Sequence, residues 1–280
     1  MLDVRQTVNM RPEIVIAIMS AAVSLVSGVV TAVAAYRTTV VAHRLQEKTH
    51  ERTKSELAEE LFRRYREPLL WSAQALQSRL YNGISQGFLA RYLRCGNAED
   101  ERYVVDNTVY VLAEYLGWLE LLRRDQRFLD VTAIRSTRDL FAIVGQTQHA
   151  LATDGLDGPF RLFRGQQRAI GELMLKGTES TSGPTHEVLG YAAFCARLDE
   201  NPSFRAWFDR LRSEVPAIES AGHEGNRRLI RLQDTLVELV HLLDPNDLRL
   251  PQKQKSQLRA DNPERIPQAL RAPRTRLNKW

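Results

Sequence analysis

The segment IVIAIMSAAVSLVSGVVTAVAAY, residues 14–36, runs for 23 residues without a charged side chain. As an α-helix rising 1.5 Å per residue it would be roughly 34 Å long, enough for a hydrocarbon layer of about 30 Å. Its only polar groups are Ser20, Ser24, Ser27 and Thr31, whose hydroxyls can each bond a carbonyl one turn back. A helix in a soluble core would show a polar stripe, and none is present. A cleaved secretory leader is the stronger rival, because Ala32-Val33-Ala34 fits the small-x-small cleavage pattern. The apolar run is longer than such leaders carry, and Asp3 and Glu13 offset Arg5 and Arg11 before it. The expectation is a retained membrane helix.

The flanks give an orientation. Arg37, Arg44, Lys48, Arg52 and Lys54 follow the span, against two basic residues before it. The positive-inside rule then places residues 1–13 outside the cell membrane and the long C-terminal part in the cytoplasm, a single-pass arrangement. Tyr36 stands where an interfacial aromatic would anchor the helix. Ser20, Ser24, Gly28 and Ala32 recur every four residues and put small side chains on one face. Such a face lets a second helix approach closely, so self-association through the membrane helix is one reading, and ordinary span composition is the other.

Residues 37–66 contain neither Pro nor Gly and should continue the helix as a stalk. QEKTHERTKSE, residues 46–56, has no apolar residue, so a stable coiled coil is not expected there. Thr53 and Glu56 fit a capping box, where a helix could restart. Pro68 marks the start of the globular part, assigned to residues 67–244. PLLWSAQALQSRLYNGI carries a helical apolar stripe. ERYVVDNTVYVLAEYLGWLELLRRDQRFLD, residues 101–130, is apolar nearly all round and reads as a central helix packed on several sides.

Further helices are expected in TAIRSTRDLFAIVGQTQHAL, with Thr132 as a cap, and after Gly165 in FRLFRGQQRAIGELMLK. HEVLGYAAFCARL, PSFRAWFDRLRSEV and residues 226–244 complete the set. Loops fall at Asp154-Gly155, Asp157-Gly158-Pro159 and residues 176–185. The fold class is therefore all-α: membrane helix, helical stalk, multi-helix cytoplasmic domain, and a tail.

At 43% hydrophobic and 26% charged residues, the chain has the composition of a folded protein. Its net charge of +5 is local. Residues 245–280 hold nine Lys/Arg and three Asp/Glu, so the rest of the chain carries a net −1. That tail has five prolines and few large apolar residues and is expected to be disordered. It could contact anionic lipid. Nucleic-acid binding is disfavoured, because no aromatic residues alternate with the basic ones for base stacking.

The chemical motifs are weak. GISQG, residues 83–87, matches G-x-S-x-G around Ser85, but no parallel-sheet pattern surrounds it, and a helix break is the better reading. HEVLG has Gly190 where a second zinc-binding His would stand, and the six histidines are scattered. Cys95 and Cys195 form no C-x-x-C pair, and no P-loop or G-x-G-x-x-G is present. No metal or cofactor is expected, and enzymatic activity is not favoured.

One constellation stands above these. Asp106, Tyr110 and Glu114 repeat every four residues on the most apolar helix, with Asn107 beside them. Buried charges need partners, and Arg79 and Asn82 from the preceding helix, with Arg164, Arg168 and Glu172 near the Gly165 helix start, are the candidates. The set could be a register-fixing ionic network or a ligand pocket, with Arg164 and Arg168 holding an anion.

LQSRLYN (residues 76–82), VDNTVYVLAEYLGWLELLRR (105–124), FRLFRGQQRAIGELM (160–174) and GYAAF (190–194) resemble an uncharacterised family of bacterial membrane-anchored proteins. That resemblance implies a membrane helix, a stalk and a cytoplasmic helical domain over most of residues 14–244. It implies no activity, cofactor or partner protein. The function expected from the sequence is a membrane-anchored interaction or regulatory module; the alternative is a ligand-sensing or enzymatic domain built on the polar cluster.

Overall fold

The computed structural model describes residues 12–95, 97–126, 134–176 and 187–258. Among these residues are eight α-helices and no strand: α1 (Pro12–Ser85), α2 (Phe88–Cys95), α3 (Ala98–Asp125), α4 (Arg135–Ala152), α5 (Arg164–Leu173), α6 (Tyr191–Glu200), α7 (Pro202–Ser220) and α8 (Arg227–Leu243). Short 3-10 turns cover Glu224–Asn226 and Gln252–Lys255. The chain divides into two compact units, Met1–Glu56 and Leu57–Trp280.

In the first unit, α1 is exposed throughout residues 19–39. It is the one helix among the described residues that is long and apolar enough to cross a membrane. Ser24 donates to the Ser20 carbonyl at 2.9 Å and Thr31 to the Ser27 carbonyl at 2.8 Å, so these hydroxyls are satisfied within the helix. A helix restart near Thr53 does not occur. The Thr53 hydroxyl donates backward to the Thr49 carbonyl at 3.0 Å and caps nothing ahead of it.

The second unit begins before the boundary expected at residue 67. Ala58, Leu61 and Tyr65 are already buried, together with Leu69, Ala73, Leu76 and Leu80 further along α1. This is the 3–4 residue spacing of a helix laid against a core. Pro68 lies inside α1 and does not begin a new element.

α3 is the central helix. Asn97 caps it by accepting the Asp100 amide at 2.9 Å. Glu99, Asp100 and Glu101 occupy its first turn and Arg123 and Arg124 its last, the charge order that suits a helix dipole. It packs against α2, α5, α6 and α7, while α4 lies along α8. The α3–α5 crossing is close because Gly171 faces α3. A Cβ at that position would stand 2.6 Å from the Leu116 carbonyl oxygen. α7 starts from Asn201, whose side chain accepts the Phe204 amide, with Pro202 at the first helical position.

Two other expectations shift. Residues 187–190 are extended, not helical. Lys176 donates its amide to the Glu187 carbonyl and Leu189 donates to the Met174 carbonyl, an isolated antiparallel bridge that delays α6 until Tyr191. Residues 245–258, assigned to a disordered tail, are packed: Leu250 and Lys255 are buried. Thr132, residues 177–186, which hold most of the expected 176–185 loop, and residues 259–280 lie outside the described residues.

Candidate functional site

Asp106 is fully buried on α3 and meets two guanidinium groups. Arg212 on α7 donates from Nε to Oδ1 at 2.8 Å, and Arg102, one turn back, donates from Nε to Oδ2 at 3.3 Å. Arg102 then reaches both carboxylate oxygens of Asp199 at the end of α6, at 2.7 and 2.8 Å. The Asp199 carboxylate first, and Asp106 second, raise the pKa of the Arg102 guanidinium. Asp106 thus ties α3 to α7, and Arg102 extends the network to α6 through Asp199.

Each Asp106 oxygen accepts from a guanidinium, an arrangement that holds the carboxylate in place as the anionic partner of two cations. Beside the network, Leu93, Val105, Ala217, Glu101, Arg102 and Arg212 line a groove of about 760 Å³.

The other members of the expected cluster are distributed. Arg79 lies between α1 and α2–α3, hydrogen-bonded to the Asn107 side chain and stacked 4.7 Å from the Phe88 ring centroid and 5.8 Å from that of Tyr103. It makes the cation–π contacts that suit a guanidinium without a carboxylate. Asn82 sits near the C-terminal end of α1, where its carbonyl accepts the Gln86 amide.

Glu114 is half-buried, and burial raises its pKa while the Tyr110 hydroxyl acts in the opposite direction. Arg164 bonds the Gln148 side chain and reaches the Gly145 carbonyl on α4. Arg168 pairs with Glu172 along α5 at 3.7 Å, both largely exposed. Glu172 also acts on Arg123, near the far end of α3 from Asp106. The sequence cluster therefore resolves into Asp106 with Arg102 and Arg212, Arg79 with Asn107, and a separate α5 surface pair.

Three further polar sites were not anticipated. Near the end of α3, Glu120 is buried and takes Arg123 at 2.5 and 2.6 Å and Arg124 at 2.9 Å. These pairs lower its pKa despite the opposing effect of burial. Arg228 on α8 is 2% exposed and forms no salt bridge among the described residues. Its Nη1 donates to the carbonyls of Ala150, Leu151 and Thr153 at 2.9–3.1 Å and its Nη2 to Leu156 at 2.5 Å. A cation here meets carbonyls at the C-terminal end of α4, the favourable dipole end, where Leu151 also accepts the Leu162 amide.

The loop that follows carries Phe160 at φ 64°, a left-handed conformation uncommon for an aromatic residue. It is held by its buried ring and by its amide donating to Glu214 at 2.7 Å. The third site is the C-terminal strap. Gln74, Gln77 and Gln233, all buried, bond its main chain. The sequence signal for the strap was Leu250 soon after the Asp244-Pro245 helix stop, since an apolar residue past a helix end can fold back on it.

Ser85 closes α1 and donates to the Tyr81 carbonyl, with Gly87 at φ 64° after it, a helix end with no nucleophile elbow. Cys195 carries a free thiol. Among the described residues, no group of three His, Cys, Asp or Glu side chains is placed to hold a metal ion. In the first unit, Ser24, Gly28 and Ala32 line a shallow concavity with Ser27, Thr31 and Ala35.

No protein-family model, curated protein or solved structure matches the chain.

Proposed function

We propose that this protein is a membrane-anchored helical module that works through protein contacts at the cytoplasmic face of the cell membrane. One observation carries the reading. In residues 14–36 the large apolar side chains that the structure describes, from Ile14 to Tyr36, are 49–72% exposed, in a chain that buries Leu, Val and Phe efficiently elsewhere. An apolar surface of that length and continuity on one helix has lipid as its natural solvent. The basic flank at residues 37–54 supports an outside N-terminus and a cytoplasmic Leu57–Trp280 unit. The resemblance to bacterial anchored proteins points to the same arrangement.

Anchoring raises the effective concentration of the helical unit for partners at the same surface. Two copies associate through the Ser20, Ser24, Gly28 and Ala32 face, and the basic residues beyond 258 contact anionic lipid. Alkaline washing of membranes is the first check, with the protein expected in the pellet. Affinity capture from detergent is the second, with a reproducible protein partner expected. Release by the wash, or capture of the bait alone, would remove the reading. Enzymatic use of Asp106 is not favoured, because two guanidinium groups already occupy its carboxylate.

A further inference from the structure

After α8 the chain turns at Asp244 and runs back as a strap between α1 and α8. The turn is built on one carboxylate. Asp244 is fully buried, and its oxygens accept the amides of Leu248 (3.0 Å), Arg249 (3.2 Å) and Leu250 (3.0 Å). The Lys255 side chain is also fully buried, and its ammonium closes the loop onto the Asp244 carbonyl (2.8 Å), the Asp244 carboxylate (3.3 Å) and Asp247 (2.5 Å).

The strap is held by the side chains of Leu250, Lys255 and Arg249, the last donating to Glu67 at 2.6 Å, and by its main chain. Gln77 Nε2 donates to the Gln254 carbonyl at 2.7 Å and Gln74 Nε2 to the same oxygen at 3.3 Å. Gln233 Nε2 donates to the Ser256 carbonyl at 2.8 Å, and its Oε1 accepts the Leu258 amide at 3.1 Å. The glutamines are also bonded to one another, Gln77 to Gln74 at 2.8 Å and Gln233 to Gln77 at 3.1 Å, so the donor set is arranged in advance. Meanwhile the side chains of Gln252, Lys253, Gln254, Ser256 and Gln257 face solvent.

Two features separate this arrangement from an ordinary packed terminus. A segment fixed only for stability would be met by apolar walls, and emptying such a groove would expose them to water. Here the wall along Gln74, Gln77 and Gln233 is amide-bearing and can stay hydrogen-bonded when hydrated, while Leu250 meets the apolar core. The contacts also read carbonyls and an amide, the part of a peptide common to every sequence, while Leu250 and Lys255 supply the selectivity. Space of about 350 Å³ remains beside the strap, along Gln74, Ser78, Tyr81 and Asn82.

We propose that the α1–α8 groove is a peptide-binding site that reads extended main chain plus one lysine. Residues 250–258 are its ligand in cis, and withdrawal of Lys255 from Asp244 opens the groove to the same segment of a second copy. The identical segment fits by construction, which favours a second copy over any other peptide. The closed strap keeps the isolated chain self-occluded.

The test uses the full chain in detergent and the fluorescent peptide LPQKQKSQL, residues 250–258. Lys255→Met in the chain is expected to raise peptide affinity at least about tenfold over the wild type, whose groove is filled. Adding Gln233→Ala to that variant, or replacing the peptide's second lysine (position 255) with methionine, should reverse the gain. A folded K255M chain that takes the peptide no better than the wild type overturns the proposal, as does equal binding of the lysine-substituted peptide.

Amide exchange on the wild type covers the case in which K255M does not fold. The Leu250 and Leu258 amides should exchange at least about a hundredfold faster than those inside α8, through local opening of the strap. Exchange at the same rate as α8 would show that the strap leaves only when the whole unit unfolds, and would likewise overturn the proposal.

Discussion

Residues 14–36 and the Leu57–Trp280 unit handle the same side chains in opposite ways. Leu25 is 72% exposed and Val26 63%, whereas Leu69, Leu112, Leu236 and Val240 are fully buried. The polar groups differ in the complementary sense. In the span, hydroxyls are satisfied by their own helix. In the second unit, buried charges reach across the fold, from Asp106 to Arg212 and from Arg228 to the end of α4. The lesson is that burial alone does not separate apolar sequences. What separates them is whether the opposite face carries groups that need water or a distant partner. The span has none, and every helix of the second unit does.

This comparison predicts variants that damage one region and spare the other. The largest effect is expected at Arg228. Its replacement by methionine leaves several carbonyls at the end of α4 without donors and should lower the stability of the helical unit by about 4 kcal/mol. Membrane retention should be unchanged, which thermal unfolding and a wash assay would show together. Val26→Arg is the converse. It should oppose membrane insertion by about 3 kcal/mol at the centre of the span and leave the melting of the helical unit intact.

Asp106→Asn comes next. It removes the charge that two guanidinium groups share, for about 2 kcal/mol of lost stability. A well-folded Asp106→Asn protein with a lost binding activity would instead revive a ligand role for this site.

The smallest effect separates two carboxylates, Glu114 on α3 and Asp244 at the end of α8. Burial raises the pKa of Glu114, so its contribution to stability is present below the unfolded carboxylate range near about 4.3 and is lost as pH rises. Glu114→Gln should therefore stabilise the protein slightly at pH 8, by under about 1 kcal/mol, and have no effect near pH 4. Asp244 has the opposite sign. Burial alone would raise its pKa, but the Leu250 and Arg249 amides, Lys255 and the Leu248 amide together lower it. Its contribution is present above about 3.9 and is lost only as pH falls through the still lower folded value. Melting curves of the wild type across pH 3–8 against Glu114→Gln would test the first sign, and against Asp244→Asn the second.

Local pattern made much of the fold legible. α8 was expected over residues 226–244 and spans Arg227–Leu243, because its apolar spacing and the Asp244-Pro245 stop are both local signals. The apolar circumference of α3 likewise announced a central helix, and α2, α5, α6 and α7 pack on it, with α1 bonded to it through Arg79 and Tyr65. The partners of Asp106 were not legible. Arg212 lies 106 residues away, and which arginine arrives is decided by how α7 packs.

Arg228 was hidden for a related reason. Beside Arg227 and Arg231 it reads as part of a solvated basic face, yet the helix turns it alone into the fold. The strap was obscured by composition. Proline and lysine suggested disorder, while the strap is held partly by main-chain groups that every sequence possesses and partly by Lys255 and Leu250, whose partners are set by the fold.

The most direct test of the account is topology. A reporter active only in the cytoplasm would be fused after Trp280, and the same cells fractionated with an alkaline membrane wash. The account predicts an active reporter on protein that stays in the washed membranes. An inactive reporter on a stable fusion, or protein released by the wash, would contradict it.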